Sequence, residues 1–198
     1  MMMNRIKLVF LLIFCIFLNA CAHAPLDVDF KPALSSSAVA NANRAPLKLW
    51  VNDKRDTDSL GNRDFGNRGG QIYAKQNLSL VLLKSMSRMA ETNNFMLDKT
   101  GRASISVNLL ALHFAAIDSF SGNELIAESA IEVIAVRDGQ RVHRIYHGAD
   151  QSEYTHTYVG DAQIQKELNG ALTKALNKIA LDQNLWQFLI GKYTHETN

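Results

Sequence analysis

Asp138-Gly139 restricts the fold more than any other feature of this chain. A two-residue loop of this composition takes positive φ at both positions and joins two antiparallel strands. Ile131, Val133 and Ala135 alternate ahead of it and Val142 follows, which predicts strands over 124–136 and 141–154. With Asp138 and Gly139 as the loop, Ala135 faces Val142, Val133 faces Arg144 and Ile131 faces Tyr146. That side is mostly apolar and is expected to meet helices. The other side carries Glu128, Glu132, His143 and His147 and is expected to be wetter.

The remaining periodicities fill in the layers. Leu47, Leu49 and Val51 alternate with Lys48 and Trp50, the pattern of a half-buried strand. Leu78, Val81, Leu82, Met86, Met89 and Ala90 recur at three and four, predicting a helix within 76–95 that Asn93-Asn94 ends. Over 103–117 the apolar parity changes, from Ile105, Val107 and Leu109 to Leu110, Leu112 and Phe114. Such a change predicts a bulge, or a strand covered on both faces along half its length. A second helix opens near Asp161 as N-cap, with a core stripe from Ile164 to Ile179, and a short third piece over 183–190 stops at Gly191. The order is β-α-β-β-β-α. We expect one two-layer α+β domain over 47–198, its mainly antiparallel sheet packed on helices.

The first forty-six residues read differently. Arg5 and Lys7 precede an uncharged apolar run over 8–18, about eleven residues against the ~20 that a bilayer-spanning helix needs. Leu18-Asn19-Ala20-Cys21 then resembles the lipobox of bacterial lipoproteins. That resemblance implies a signal peptide over 1–20, with Cys21 as lipidation site carrying diacylglycerol and an N-acyl group. The alternative is an ordinary secretory signal cut after Ala22 or Ala24, leaving a soluble periplasmic protein. Cys15 is the only other cysteine and lies inside the apolar run, so Cys21 has no disulfide partner. Ala22 rather than Asp after the cysteine points, by the enterobacterial sorting rule, to the periplasmic side of the outer membrane, the inner membrane being the other choice. Pro25, Pro32, Pro46 and Ser35-Ser36-Ser37 give 21–46 the composition of a flexible tether, about 25–30 Å end to end as a coil.

Charge and motifs exclude more than they assign. Without Arg5 and Lys7 the 21 basic residues fall to 19, equal to the 19 acidic ones, so nothing supports nucleic-acid binding. His143 and His147 stand four apart on a strand, about 13 Å, too far for one zinc ion at 2.0–2.1 Å from each. Glu132 lies diagonal to both, and a solvated strand face is the preferred account over a metal site. His156, near Asp150 and Glu153, invites an acid/base reading, but no Gly-x-Ser-x-Gly accompanies it. A hydrolase or metal site near His143, His147 and His156 is therefore the least favoured reading, and no cofactor is expected. The loop 53–70 carries Arg55, Arg63 and Arg68 among glycines, with Gly-Asn-Arg twice. Guanidinium groups and approachable backbone suit an anionic or glycan ligand, although no nucleotide motif is present.

Taken together, the lipobox at Cys21, the proline-bearing tether, the strand ending in Asp53-x-Arg55, the helix from Leu78 to Met89, the Asp-Gly hairpin and the closing Trp186-Gln187-Phe188 tail resemble the YajG-like lipoproteins. The resemblance implies an outer-membrane lipoprotein with an α+β periplasmic domain and brings no catalytic residues with it. The expected function is that of a membrane-anchored, non-enzymatic adaptor or accessory protein meeting an envelope partner through a sheet edge or the arginine loop. The alternative is a binding module that uses Arg55, Arg63 and Arg68.

Overall fold

The computed structural model describes residues 25–63, 70–119, 122–154 and 159–192. Eight strands form one sheet: β1 (Leu26–Val28), β2 (Pro46–Asp53), β3 (Ser59–Asn62), β4 (Gln71–Ala74), β5 (Met96–Leu97), β6 (Ala103–Ser119), β7 (Gly122–Arg137) and β8 (Gln140–Tyr154). Three helices complete the described residues: α1 (Leu78–Thr92), α2 (Asp161–Ala180) and α3 (Gln183–Ile190).

β6, β7 and β8 form an antiparallel meander whose turn is Asp138-Gly139, with φ of 49° and 80°. Its register places Ala135 opposite Val142, Val133 opposite Arg144 and Ile131 opposite Tyr146, as the turn chemistry requires. The parity change in β6 is a bulge between Leu109 and Ala111, which returns Leu112 and Phe114 to the buried face already holding Ile105, Val107 and Leu109. The helices cover that face, and Trp186 is its largest fully buried side chain, donating from Nε1 to the Ile179 carbonyl at 2.9 Å. Asp161 is the first residue of α2 rather than its cap; Gly160 caps the helix without a side-chain bond.

The expectation of a mainly antiparallel sheet does not hold. Four pairings are parallel (β1–β4, β2–β5, β2–β6, β3–β6) against three antiparallel (β3–β4, β6–β7, β7–β8). The reason is a crossover: α1 carries the chain from one end of the sheet to the other, so β2 runs alongside β6 in the same direction. β2 and β3 share one edge of β6, dividing it at the bulge, where Lys54 N–H donates to the Leu109 carbonyl. The long loop expected over 53–70 contains β3, which pairs antiparallel with β4 just beyond it, Arg63 N–H donating to the Gly70 carbonyl between them.

The segment expected to be a flexible tether is also structured from Pro25 onward. Leu26–Val28 pairs with β4, and Val28 and Phe30 are buried. The N–H groups of Asp29, Lys31, Ala33 and Ser35 then donate to Gln165 (3.4 Å), Asn169 (2.7 Å), Thr173 (3.3 Å) and Asn177 (2.8 Å) of α2. Asn169 and Asn177 also donate from Nδ2 to the carbonyls of Asp29 (3.0 Å) and Ala33 (3.2 Å). Geometry explains the match. Four helical residues advance about 6.0 Å, and two residues of extended chain about 6.2–6.8 Å, so alternate amides of the strap meet every fourth side chain of α2. Asn93 Oδ1 accepts from Val39 and Ala40 N–H farther along. Pro32 fits this extended path, since its missing N–H falls on a residue that α2 does not address.

Candidate functional site

The predicted arginines do not form one cluster. Arg55 turns back on Asp53, with Nε to Oδ1 at 2.9 Å and Nη2 to Oδ2 at 2.8 Å. Its side chain is only 7% exposed, and Nη1 is buried without a hydrogen-bond partner among the described residues. Arg63 pairs instead with Asp161 at 3.2 Å, pinning the end of β3 to the start of α2. Arg68 lies outside the described residues, as do Cys21 with the whole signal segment, and His156. Arg55 and Asp53 line a polar cleft of about 470 Å³ against Asp58, Tyr73 and the first turn of α1. Asn77 caps that helix, its Oδ1 accepting from Leu80 N–H at 3.2 Å, and no acidic residue occupies the first turn.

His113, His143 and His147 fall on the open face of the sheet, where the first two meet carboxylates. Glu132 Oε2 accepts from Asn108 Nδ2 at 2.7 Å, Asn108 Oδ1 accepts from Asn52 at 3.0 Å, and His143 Nε2 meets Glu132 Oε1 at 2.9 Å. First the Asn108 amide and then His143 hold the Glu132 carboxyl below the usual range, while burial opposes them. His113 pairs with Glu128 at 3.2 Å. Among the described residues, no group of three or more His, Cys, Asp or Glu side chains could hold a metal ion.

A second feature was not foreseen in detail: the outer edge of β2. Met96 and Asp98 N–H donate to the Ala45 and Leu47 carbonyls at 3.0 Å each, so the odd-numbered residues of β2 present their backbone groups away from β6. Past Asp98 the chain leaves. Leu49 and Val51 are then without a strand partner on that side among the described residues. Beside them runs an apolar groove of about 610 Å³ lined by Leu47, Leu49, Trp50, Leu83 and Leu97, with Lys48 and Lys99 at its rim. Trp50 is 51% exposed. The other long edge is guarded: Lys174 and Lys178 of α2 donate to the Ala149 and His147 carbonyls of β8. Sequence signalled the strand at 46–53, but only tertiary structure shows which of its edges stays open.

Comparison with known proteins adds the following. Residues 32–190 match the family model described as uncharacterized lipoprotein. No curated protein matches the chain. Among solved structures, the protein XCC0632 from Xanthomonas campestris, of family model DUF330, is similar with a TM-score of 0.52 at 10% identity, over 85% of this chain and 97% of that one. That likeness is one of fold. A minor lipoprotein from Acinetobacter baumannii aligns at 11% identity and TM-score 0.40, over 75% of this chain and 92% of its own. Lipoprotein GNA1162 from Neisseria meningitidis aligns at 6% identity and TM-score 0.35, over 62% and 91%. No helix among the described residues is long and apolar enough to cross a membrane.

Proposed function

Because the chain belongs to the family of uncharacterized lipoproteins matched over 32–190, we propose that it is a non-enzymatic docking domain of the cell envelope, which takes up an extended segment of a partner protein along β2. The open edge at Leu49 and Val51 carries this reading. An added strand would complete four unmet backbone groups there, and alternate apolar side chains would enter the groove between Trp50, Leu83 and Leu97. Lys48 and Lys99 outnumber Asp98 in the lining and favour an acidic residue flanking that segment. Guarded carbonyls on β8 and none on β2 are the contrast expected of one closed edge and one used edge.

The anchor belongs to the same proposal. Cys21, acylated with diacylglycerol and an N-acyl chain after removal of residues 1–20, would hold the domain at the outer membrane facing the periplasm, where a membrane-bound partner is locally concentrated. The lipobox and the buried Trp186 of the closing helix support grouping it with the YajG-like lipoproteins.

The test is photocrosslinking in cells from a probe at Leu97, with and without Val51→Pro. Proline there removes an outward N–H and leaves the bonds to β6 intact, so folding should survive. A discrete envelope protein crosslinked to the parent and lost in the variant is the expected result. An adduct indifferent to Val51→Pro, or only a second copy of the chain, would overturn it. The intact mass of the mature protein, compared with Cys21→Ser, tests the anchor separately.

A further inference from the structure

The face of β6, β7 and β8 turned away from the helices is uncovered among the described residues. Every odd-numbered residue of β8 from Arg141 to Glu153 is exposed there. On β7 the even-numbered residues from 124 to 136 are exposed or half-buried, while the odd-numbered ones are buried beneath the helices. Four isoleucines nonetheless stand on this wet side: Ile117 (48% exposed) and Ile126 toward one end, Ile134 and Ile145 (46%) toward the other. Ala111, Ala130 and Ala149 lie between the two pairs. Apolar groups gathered on an open sheet face and bounded by charge are the mark of a contact surface.

The two ends of the face differ in sign. The row nearest the Asp138-Gly139 turn runs Lys48, Ser104, Val136, Arg141 and brings two cations. The row at the far end runs Ile117, Glu124, Glu153 and brings two carboxylates. About 40 Å of strand separates Arg141 from Glu153. Between them the carboxylates have partners of their own: Glu132 meets Asn108 and His143, and Glu128 meets His113. The face therefore carries a positive end, a matched middle and a negative end.

We propose that two copies of this chain pack open face against open face, about a two-fold axis that crosses the strands at Ala130 and His147. The register fixes that position. Ile126 and Ile134 stand equally far from Ala130, and Glu153 and Arg141 equally far from His147, its neighbour on β8. Rotation about this axis lays the isoleucines of β7 on one another and sets the basic end of each copy on the acidic end of the other, so the charge contact occurs twice. An axis along the strands would set like ends together. Packed sheets lie about 10 Å apart with strands inclined by roughly 30°, which brings Arg141 over the Glu124 and Glu153 pair of the second copy. Three strands about 4.8 Å apart over about 40 Å offer roughly 600 Å² per copy. With β2 added, this comes close to the ~800 Å² per partner of a stable interface. The contact uses the face of the sheet and leaves its edge at Leu49 and Val51 open, so it stands independently of the docking reading.

Photocrosslinking in cells from a probe at His147 of the full chain tests the proposal. The expected result is an adduct of two copies, identified by mass, with no comparable adduct from a probe at Lys166 on the exposed side of α2. Lys48→Glu with Arg141→Glu reverses the basic end, and Glu124→Lys with Glu153→Lys reverses the acidic end. Each pair should reduce the adduct at least tenfold, and the chain carrying all four substitutions should recover it. All four sites lie on the solvated face, so the fold should survive, as circular dichroism of the purified variants would show. No self-adduct from His147, an adduct with a different protein instead, a self-adduct that either reversal leaves unchanged, or no recovery in the fourfold variant would overturn the proposal.

Discussion

The hydroxyl of Tyr146 on β8 donates to Oδ2 of Asp182 at 2.6 Å, and the same carboxylate caps α3 through Leu185 N–H at 2.9 Å. Arg144 completes the arrangement with an ion pair to Asp182 at 2.5 Å. One side chain thus joins the end of the helical layer to the sheet. Burial first, and the Asp182 carboxylate second, push the Tyr146 phenol well above its ordinary value near 10. A raised folded-state pKa gives stability that is complete below about pH 10 and declines as the pH climbs toward the folded value. Tyr146→Phe should lower stability by about 1–2 kcal/mol at neutral pH, because Asp182 keeps Arg144 and the cap. Urea unfolding at pH 7, 10 and 11 should show an alkaline decline in the parent that is shallower in the variant; parallel curves would exclude the linkage.

The strap along α2 is the second point of test. Asn169 and Asn177 each bond one N–H and one carbonyl of the extended chain. Asn169→Ala with Asn177→Ala should accelerate amide exchange at Lys31 and Ser35 by about five- to thirtyfold, as loss of about 1–2 kcal/mol locally requires. Exchange at those amides unchanged from the parent would mean that the Asn169 and Asn177 bonds do not hold the strap.

At Gly148, β8 packs directly on the backbone of α2. A Cβ there would stand 2.0 Å from the Ala171 carbonyl oxygen and 2.6 Å from Ala175 N, backbone atoms that cannot turn aside. Ser129 Oγ already donates to that carbonyl at 2.9 Å. Gly148→Ala should therefore cost about 3 kcal/mol and lower Tm by roughly 6–12 °C, read by circular dichroism. A shift below 2 °C would show that α2 can lift away freely.

Features fixed by neighbouring residues were legible in the sequence. The Asp138-Gly139 turn sets the β7–β8 register by itself, and the shift from Leu109 to Leu110 announces the bulge. Features that depend on distant partners were not. Leu26, Val28 and Phe30 do alternate, but three prolines and a serine run obscured a segment whose bonds come from residues 136–142 positions away. The stripe Gln165, Asn169, Thr173, Asn177 was visible as polar helix surface, and nothing in it says that it reads a backbone. The candidate site divides the same way. Asp53 and Arg55 are two residues apart and could be paired on paper, whereas Arg63 finds Asp161 only through the fold.

The strap alters the mechanics of attachment. It runs parallel to α2 and enters the fold at Leu26, near the helix's N-terminal end, while the Asp138-Gly139 turn lies at the opposite end, because β8 returns antiparallel to α2. Leu26 stands five residue steps after Cys21, a reach of about 18 Å at full extension rather than the roughly 25–30 Å of a loose coil. Were Cys21 acylated, that shorter reach would confine the domain to a search volume several-fold smaller, with the hairpin turn at the end of the fold away from the attachment.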